Sequence, residues 1–131
     1  MPDSPARVAR RPGDGNRLHL SPKHRAAIES LLRKHLPDVE VWAYGSRVNG
    51  QSHDGSDLDL VLRGPGLERI PIGALGDFEE ALRESTIPFL VEAHDWAWLP
   101  EEFHREIERA HIVLRRGNVA DRPADPKQFD A

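Results

Sequence analysis

The chain has 131 residues, a formal net charge of −4, 38% hydrophobic and 31% charged residues, and no cysteine. That length fits one domain with a single core, and the missing cysteines exclude disulfides, thiolate metal sites and cysteine nucleophiles. The acidic balance argues against a direct nucleic-acid partner, which needs Lys and Arg in surplus on one face.

No apolar run approaches the roughly 18–20 residues needed to cross a bilayer. The N-terminal MPDSPARVARRPGDG lacks the apolar stretch of a secretory signal. A cytoplasmic protein without a membrane partner is therefore expected. Residues 1–17 are rich in Pro, Gly and Arg and show no apolar periodicity, so they read as a disordered tail. Arg7, Arg10, Arg11 and Arg17 make that tail basic.

The first helix is predicted to start at Ser21, a good N-cap, with Pro22 in the first turn where its missing N–H costs nothing. Ala27, Ile28, Leu31, Leu32 and Leu36 give it one apolar face, and Pro37-Asp38 end it. The β-branched and aromatic run Val39 to Tyr44 predicts a strand. Gly45-Ser46 breaks that strand and begins a short helix. Gly50 to Gly55 is dense in turn formers, and Asp57 to Leu62 predicts the second strand.

Gly64-Pro65-Gly66 is a turn. Ile72, Leu75, Phe78, Glu79 and Leu82 suggest a helix from about Ile72 to Ser85, weakened by Gly73 and Gly76. Pro88 to about Asp95 predicts a third strand. Pro100 opens a last helix on which Phe103, Ile107 and Ala110 share a face, and Ile112 to Leu114 adds a short strand or ends the fold. The folded part is then residues 18–116, and residues 117–131 read as a flexible C-terminal tail. This order makes the fold α/β or α+β, with a small sheet flanked by helices.

Asp57 and Asp59 stand two apart, so on a strand both side chains point to one face. Like charges side by side repel, and a divalent cation turns that cost into binding energy. Magnesium is commonly held by one or two carboxylates, with substrate phosphates and water completing the octahedron. The bland alternative is an exposed edge strand whose outer face happens to be acidic.

The company of this pair favours the metal. Ser46 lies eleven residues before Asp57, directly after a strand and a glycine. A glycine followed by a helix N-terminus offers free N–H groups that suit a phosphate, and Ser46 adds a hydroxyl. Together the two features point to a nucleoside triphosphate. Gly45 to Ser52 also reads G-x-x-x-x-G-Q-S, one residue from a Walker A loop. Gln51 stands where that loop needs its lysine, and no amide replaces this point charge.

The run Gly45-Ser46-Arg47 … Gly50 … Gly55-Ser56-Asp57-Leu58-Asp59-Leu60 resembles the signature of the DNA polymerase β-like nucleotidyltransferase superfamily. Within it, the short length resembles the minimal nucleotidyltransferase (MNT) group, often encoded beside a helical HEPN protein. The resemblance covers most of Ser21 to Arg116. It implies a mixed sheet flanked by helices, Gly45, Ser46, Arg47 and Ser56 toward the triphosphate, and Asp57 and Asp59 on the metals. It also implies a third carboxylate on a later strand, and Glu92 in Val91-Glu92-Ala93-His94-Asp95 is the candidate. Strand alternation lets only one of Glu92 and Asp95 join the pair. The departures are a Glu where relatives carry Asp, and Asn49 where many carry Arg.

The implied chemistry is attack of an acceptor hydroxyl on the α-phosphorus of ATP or another nucleoside triphosphate, assisted by two Mg²⁺ ions about 3.5–4 Å apart. Glu92 would ligate the acceptor-side metal and could take the proton. Larger relatives carry a further helical domain for which this chain has no room, so a partner or a dimer mate is expected to complete the site. The resemblance suggests a HEPN toxin as partner, one of its tyrosines as acceptor and AMP as the group transferred, which makes the chain an antitoxin. Two alternatives stay open: transfer to a small-molecule hydroxyl, as in aminoglycoside adenylyltransferases, and a non-catalytic antitoxin that works by binding alone.

The seven histidines show no compact zinc-ligand spacing. His53 and His94 stand out only by location, near the triphosphate loop and the third carboxylate. Trp42, Tyr44, Trp96 and Trp98 are assigned to packing, and Ser56 to capping or orienting the carboxylate loop.

Overall fold

The structure, a computed structural model, describes residues 18–117. The tails expected at residues 1–17 and beyond residue 117 lie outside the described residues. No described helix is long and apolar enough to cross a membrane.

Ser21 caps α1 (Pro22–His35), its Oγ accepting the N–H of His24 at 3.3 Å. β1 (Glu40–Tyr44) follows, then the single turn α2 (Ser46–Asn49) and β2 (Leu58–Arg63). α3 (Ile72–Arg83) crosses over to β3 (Val91–Asp95), and α4 (Glu101–Arg109) leads into β4 (His111–Arg115). The strand left open at Ile112 to Leu114 is therefore formed. The four strands lie in the order β3-β2-β1-β4. β1 pairs antiparallel with both β2 and β4, while β2 and β3 run parallel, as a helical crossover requires.

The sheet has two unlike faces. Val41, Ala43, Leu58, Leu60, Leu62 and Leu114 form one, packed against Ile28, Leu32 and Leu36 from the α1 segment and Phe78 and Leu82 of α3. This is the main core. Alternation turns Trp42 and Val61 to the other face, where Trp96 and Ile107 of the following segments cover them. Arg63 lies between two indoles, 3.9 Å from the Trp42 ring and 4.5 Å from that of Trp96. Glu40 closes this cluster, pairing with Arg63 at 3.2 Å and accepting the Trp42 Nε1–H at 2.8 Å.

Several expectations shift. β2 begins at Leu58, so Asp57 stands at its threshold, and β3 is shorter than expected because residues 88–90 are not paired as strand. Trp96 packs, but Trp98 is 62% exposed and stacks only under Arg69. Ile72 is 80% exposed at the start of α3. Ala110 follows the end of α4 and is exposed, so only Phe103 and Ile107 face the sheet. Gly117 donates its N–H to Glu40 at 3.3 Å.

Phe78 is fully buried, so Phe78→Ala is expected to cost about 3–5 kcal/mol. Ile72→Ala, on the exposed end of the same helix, should stay within about 0.5 kcal/mol. Urea unfolding midpoints compare the two.

Candidate active site

Sheet register builds the site. Tyr44 is opposite Asp59 across the β1–β2 pair, and Asp59 is opposite Glu92 across the β2–β3 pair. Tyr44 is in turn opposite His111 on β4. The row His111–Tyr44–Asp59–Glu92 therefore crosses the face opposite the main core. Asp57, two residues before Asp59, joins it from the loop. The three carboxylates proposed from sequence thus come within electrostatic reach of one another.

Charge confirms the crowding. Burial pushes the Asp59 carboxyl above its usual range, and the negative charges of Glu92 and Asp57 push it further, with His94 opposing. The Tyr44 hydroxyl is pushed up to about 12, by burial and then by Asp59 and Glu92. Asp59 is partly buried and Asp57 and Glu92 are exposed beside it, so the cluster offers carboxylate oxygens, the donor set a hard divalent cation prefers. Among the described residues no three His, Asp or Glu side chains converge closely enough to hold a metal alone. Substrate oxygens would have to complete the shell, which is the way Mg²⁺ is ordinarily held.

Gly45 has no substitute at its position. Its φ is +85°, and a Cβ added there would lie 2.6 Å from Asp59 Oδ2. The bare backbone lets the strand end lie directly against the carboxylate before turning into α2. The Gly45 carbonyl accepts the N–H of Val48 at 2.9 Å, starting that turn, and Gly50 ends it at φ +86°. Ser46 opens the turn half-buried beside this contact.

Arg47 does not reach the open face, contrary to the expected triphosphate contact. It is 2% exposed. Its Nε and Nη2 donate to the Ser56 carbonyl at 2.9 and 2.8 Å, Nη2 also to that of Asp54 at 2.8 Å, and Nη1 to that of His19 at 2.6 Å. The guanidinium lies 4.1 Å from the centre of the Phe89 ring. Burial lowers its pKa, against the pull of Asp54 and Asp57. Arg47 therefore shapes the loop that delivers Asp57.

The same loop is tied elsewhere. Ser56 Oγ accepts the His53 N–H at 2.9 Å, which closes the turn before Asp57. His19 bridges Ser52 Oγ at 2.6 Å and the Asp54 carboxylate at 2.8 Å. Asn49 Oδ1 accepts the Gln51 N–H at 3.0 Å.

Glu92 and Asp95 separate as alternation requires. Asp95 is 5% exposed and accepts the N–H groups of Ile70 and Ala97 at 2.8 and 3.0 Å, a structural duty. Glu92 lies in the carboxylate row, with His94 Nε2 3.8 Å from its Oε1. Tyr44 and His19 were not singled out as site residues from the sequence. Their placement depends on pairings between segments remote in the chain, which no local pattern carries.

The sequence profile of the nucleotidyltransferase domain family matches residues 24–115. A protein of Haemophilus influenzae named probable protein adenylyltransferase MntA is 34% identical over 98 residues, covering 75% of this chain and 84% of that protein. A crystal structure of a toxin–antitoxin with AMP-PNP contains a chain of similar fold. Its TM-score is 0.58 at 18% identity, covering 70% of this chain and 73% of that one. The four-stranded mixed sheet flanked by helices is accordingly the fold of the polymerase β-like nucleotidyltransferases.

Two outcomes follow from the Gly45–Asp59 contact. A carboxyl whose pKa rises on folding favours the folded state while protonated, and that contribution is lost as pH climbs from the unfolded value, near 3.8, through the raised folded one. Asp59→Asn should therefore be more stable than wild type at neutral pH, with the difference closing in acid; urea melts across pH read this. Gly45→Ala should lose about 1–3 kcal/mol from a backbone conformation, φ +85° and ψ −154°, that essentially only glycine adopts. It should also weaken Mn²⁺ binding in calorimetry by displacing Asp59.

Proposed function

The chain belongs to the nucleotidyltransferase domain family, and from that footing we propose that it is a Mg²⁺-dependent enzyme that moves AMP from ATP onto a protein hydroxyl. The acceptor in this reading is a tyrosine of a HEPN toxin, so the chain acts as an antitoxin. The observation that carries the reading is the register that aligns Asp59 with Glu92, with Gly45 packed on Asp59 and Asp57 beside it. The MntA relative, named as a protein adenylyltransferase, supports the group transferred and the class of acceptor. The toxin–antitoxin neighbour with its ATP analogue supports the nucleotide and the setting.

Asp57, Asp59 and Glu92 would hold the metals together with triphosphate oxygens. Metal ions held by these residues would supply a lowered pKa at the acceptor hydroxyl and charge neutralisation at the leaving pyrophosphate. The chain's own groups divide the remaining work. Gly45 and Ser46 present backbone N–H groups and a hydroxyl to the β- and γ-phosphates. Glu92, nearest the open edge of the sheet, takes the acceptor proton as its oxygen attacks the α-phosphorus and the bond to pyrophosphate breaks. Ser56 and Arg47 act behind the site, holding the loop that presents Asp57. Catalysis of this kind is mostly positioning and electrostatics, which a small scaffold can supply.

The test uses [α-³²P]ATP, Mg²⁺ and the protein encoded by the neighbouring gene, which this reading takes to be the HEPN-domain toxin. Wild type should label that protein on tyrosine, and Asp57→Ala/Asp59→Ala should cut labelling at least about a hundredfold, the loss of several kcal/mol of metal-assisted catalysis. Neutralisation of the toxin that survives the double substitution without label would sink the enzyme in favour of a binding antitoxin. Label appearing only on an aminoglycoside would move the acceptor to small molecules.

A further inference from the structure

The carboxylate row runs out at the edge of the sheet. β3 is the outermost strand on that side, so beyond Glu92 the row has no further member among the described residues. The N–H of Leu58 donates to the carbonyl of Leu90 at 2.9 Å, so Leu90 turns its backbone toward β2. Alternation in a strand then turns the N–H and C=O of Val91 and Ala93 outward. An edge of this kind is a template for another strand. Native edges are commonly blunted by Lys, Pro, a bulge or charged side chains; Val91 to Asp95 has no Lys or Pro, and its two acids, Glu92 and Asp95, lie on the sheet's two faces and leave the outward backbone uncovered.

Beside this edge lies a groove of about 540 Å³, lined among others by Glu79, Leu82 and Arg83 of α3 and by Ile87, Leu90 and Glu92. Leu90 is 54% exposed there. Glu92 belongs both to the groove and to the carboxylate row, so the groove is continuous with the site. Arg83 is paired with Glu80 at 2.9 Å and His94 lies 3.8 Å from Glu92, and the rim's acidic groups are Glu79 and Glu92.

We propose that the acceptor protein binds by adding an extended segment to β3 as a fifth strand, placing its hydroxyl residue next in the row Tyr44–Asp59–Glu92. This rests on the protein-acceptor reading above and specifies how that acceptor is held. Neighbouring strands lie about 4.8 Å apart, and residues directly opposite have Cβ atoms about 5 Å apart on the same face. A side chain opposite Glu92 therefore sits beside the carboxylate that takes its proton. The residues flanking it point to the face of Val91 and Ala93, where Leu82 and Ile87 favour apolar contacts. The acidic rim favours a basic residue near the hydroxyl. Backbone pairing supplies affinity while the groove supplies selection, the division of labour seen in strand-addition recognition.

Ala93→Pro removes only an outward N–H and is compatible with an edge strand, and Leu90→Lys adds charge at an exposed position. With the HEPN-domain protein as acceptor, each should raise its KM at least about tenfold, the loss of one or two interfacial hydrogen bonds plus a steric or charge clash. Affinity for Mg²⁺–ATP, measured without acceptor, should stay within about twofold of wild type, and this also shows that the variants are folded. In hydrogen exchange, the Val91 and Ala93 amides should gain protection when the acceptor is added. Transfer by wild type that both variants leave unchanged overturns the fifth-strand inference alone. A dimeric wild type made monomeric by Ala93→Pro, with transfer unchanged, assigns the edge to a second copy and also overturns it. Absence of transfer to any protein by wild type overturns the protein-acceptor reading and this inference together.

Discussion

Three carboxylates held near one another, one of them partly out of water, repel, and most of the local architecture holds them there against that repulsion. Asp59 bears the largest share, since burial and two negative neighbours all disfavour its charged form. The sheet fixes Asp59 and Glu92 by register, with side chains committed to one face by the pleat. Asp57 has no ladder to hold it, and the fold supplies a substitute. A buried arginine donates to the carbonyls of Ser56 and Asp54, and Ser56 Oγ ties back to His53. The cation and its carbonyl partners sit behind the carboxylates, leaving their oxygens free at the front.

That division explains why a residue so close in sequence to the phosphate turn serves the loop behind it. Arg47 follows Ser46, and an arginine beside a triphosphate-binding glycine reads naturally as a phosphate ligand. A one-turn helix rotates successive side chains by about 100°, so Ser46 stays half-exposed while Arg47 points inward. Direction within so short an element depends on how α2 sits on β1 and β2. No periodicity over four residues carries that information. The guanidinium is satisfied inside by carbonyls and by the Phe89 ring, and removing a partner would leave a buried charge exposed to its full desolvation cost.

Elements whose cause is local were legible. The Ser21–Pro22 start of α1, the β-branched run of β1, the glycine turn and the Asp57–Asp59 spacing each rest on a residue's own conformational or charge preferences. The separation of Glu92 from Asp95 was legible for the same reason, because alternation is a local rule, and Asp95 caps buried backbone. What escaped depends on long-range pairing. Tyr44 reads as core from its strand, but antiparallel register sets it opposite Asp59 at the rim of the site. Trp96 and Trp98 read alike, yet a 3-10 turn buries one and exposes the other. His19 meets Ser52 and Asp54 across more than thirty residues of chain.

The two sheet faces finally account for how so short a chain carries a reactive site at all. The main core lies wholly on the α1–α3 face, so stability does not rest on the row that carries the charges. On the other face, Trp42, Val61, Trp96 and Ile107 form a second, smaller cluster, and Tyr44, opposite Asp59, packs against its edge. Arg63 and Glu40 close its far side with an ion pair and ring contacts. Apolar cover thus reaches far enough to desolvate Asp59 in part and leaves the Glu92 side of the row open. The row is roofed on the β1 side, where Phe103 meets Tyr44 edge-on at 5.7 Å, and open toward β3. The row therefore has one walled side and one free edge, and the free edge is where Glu92 stands.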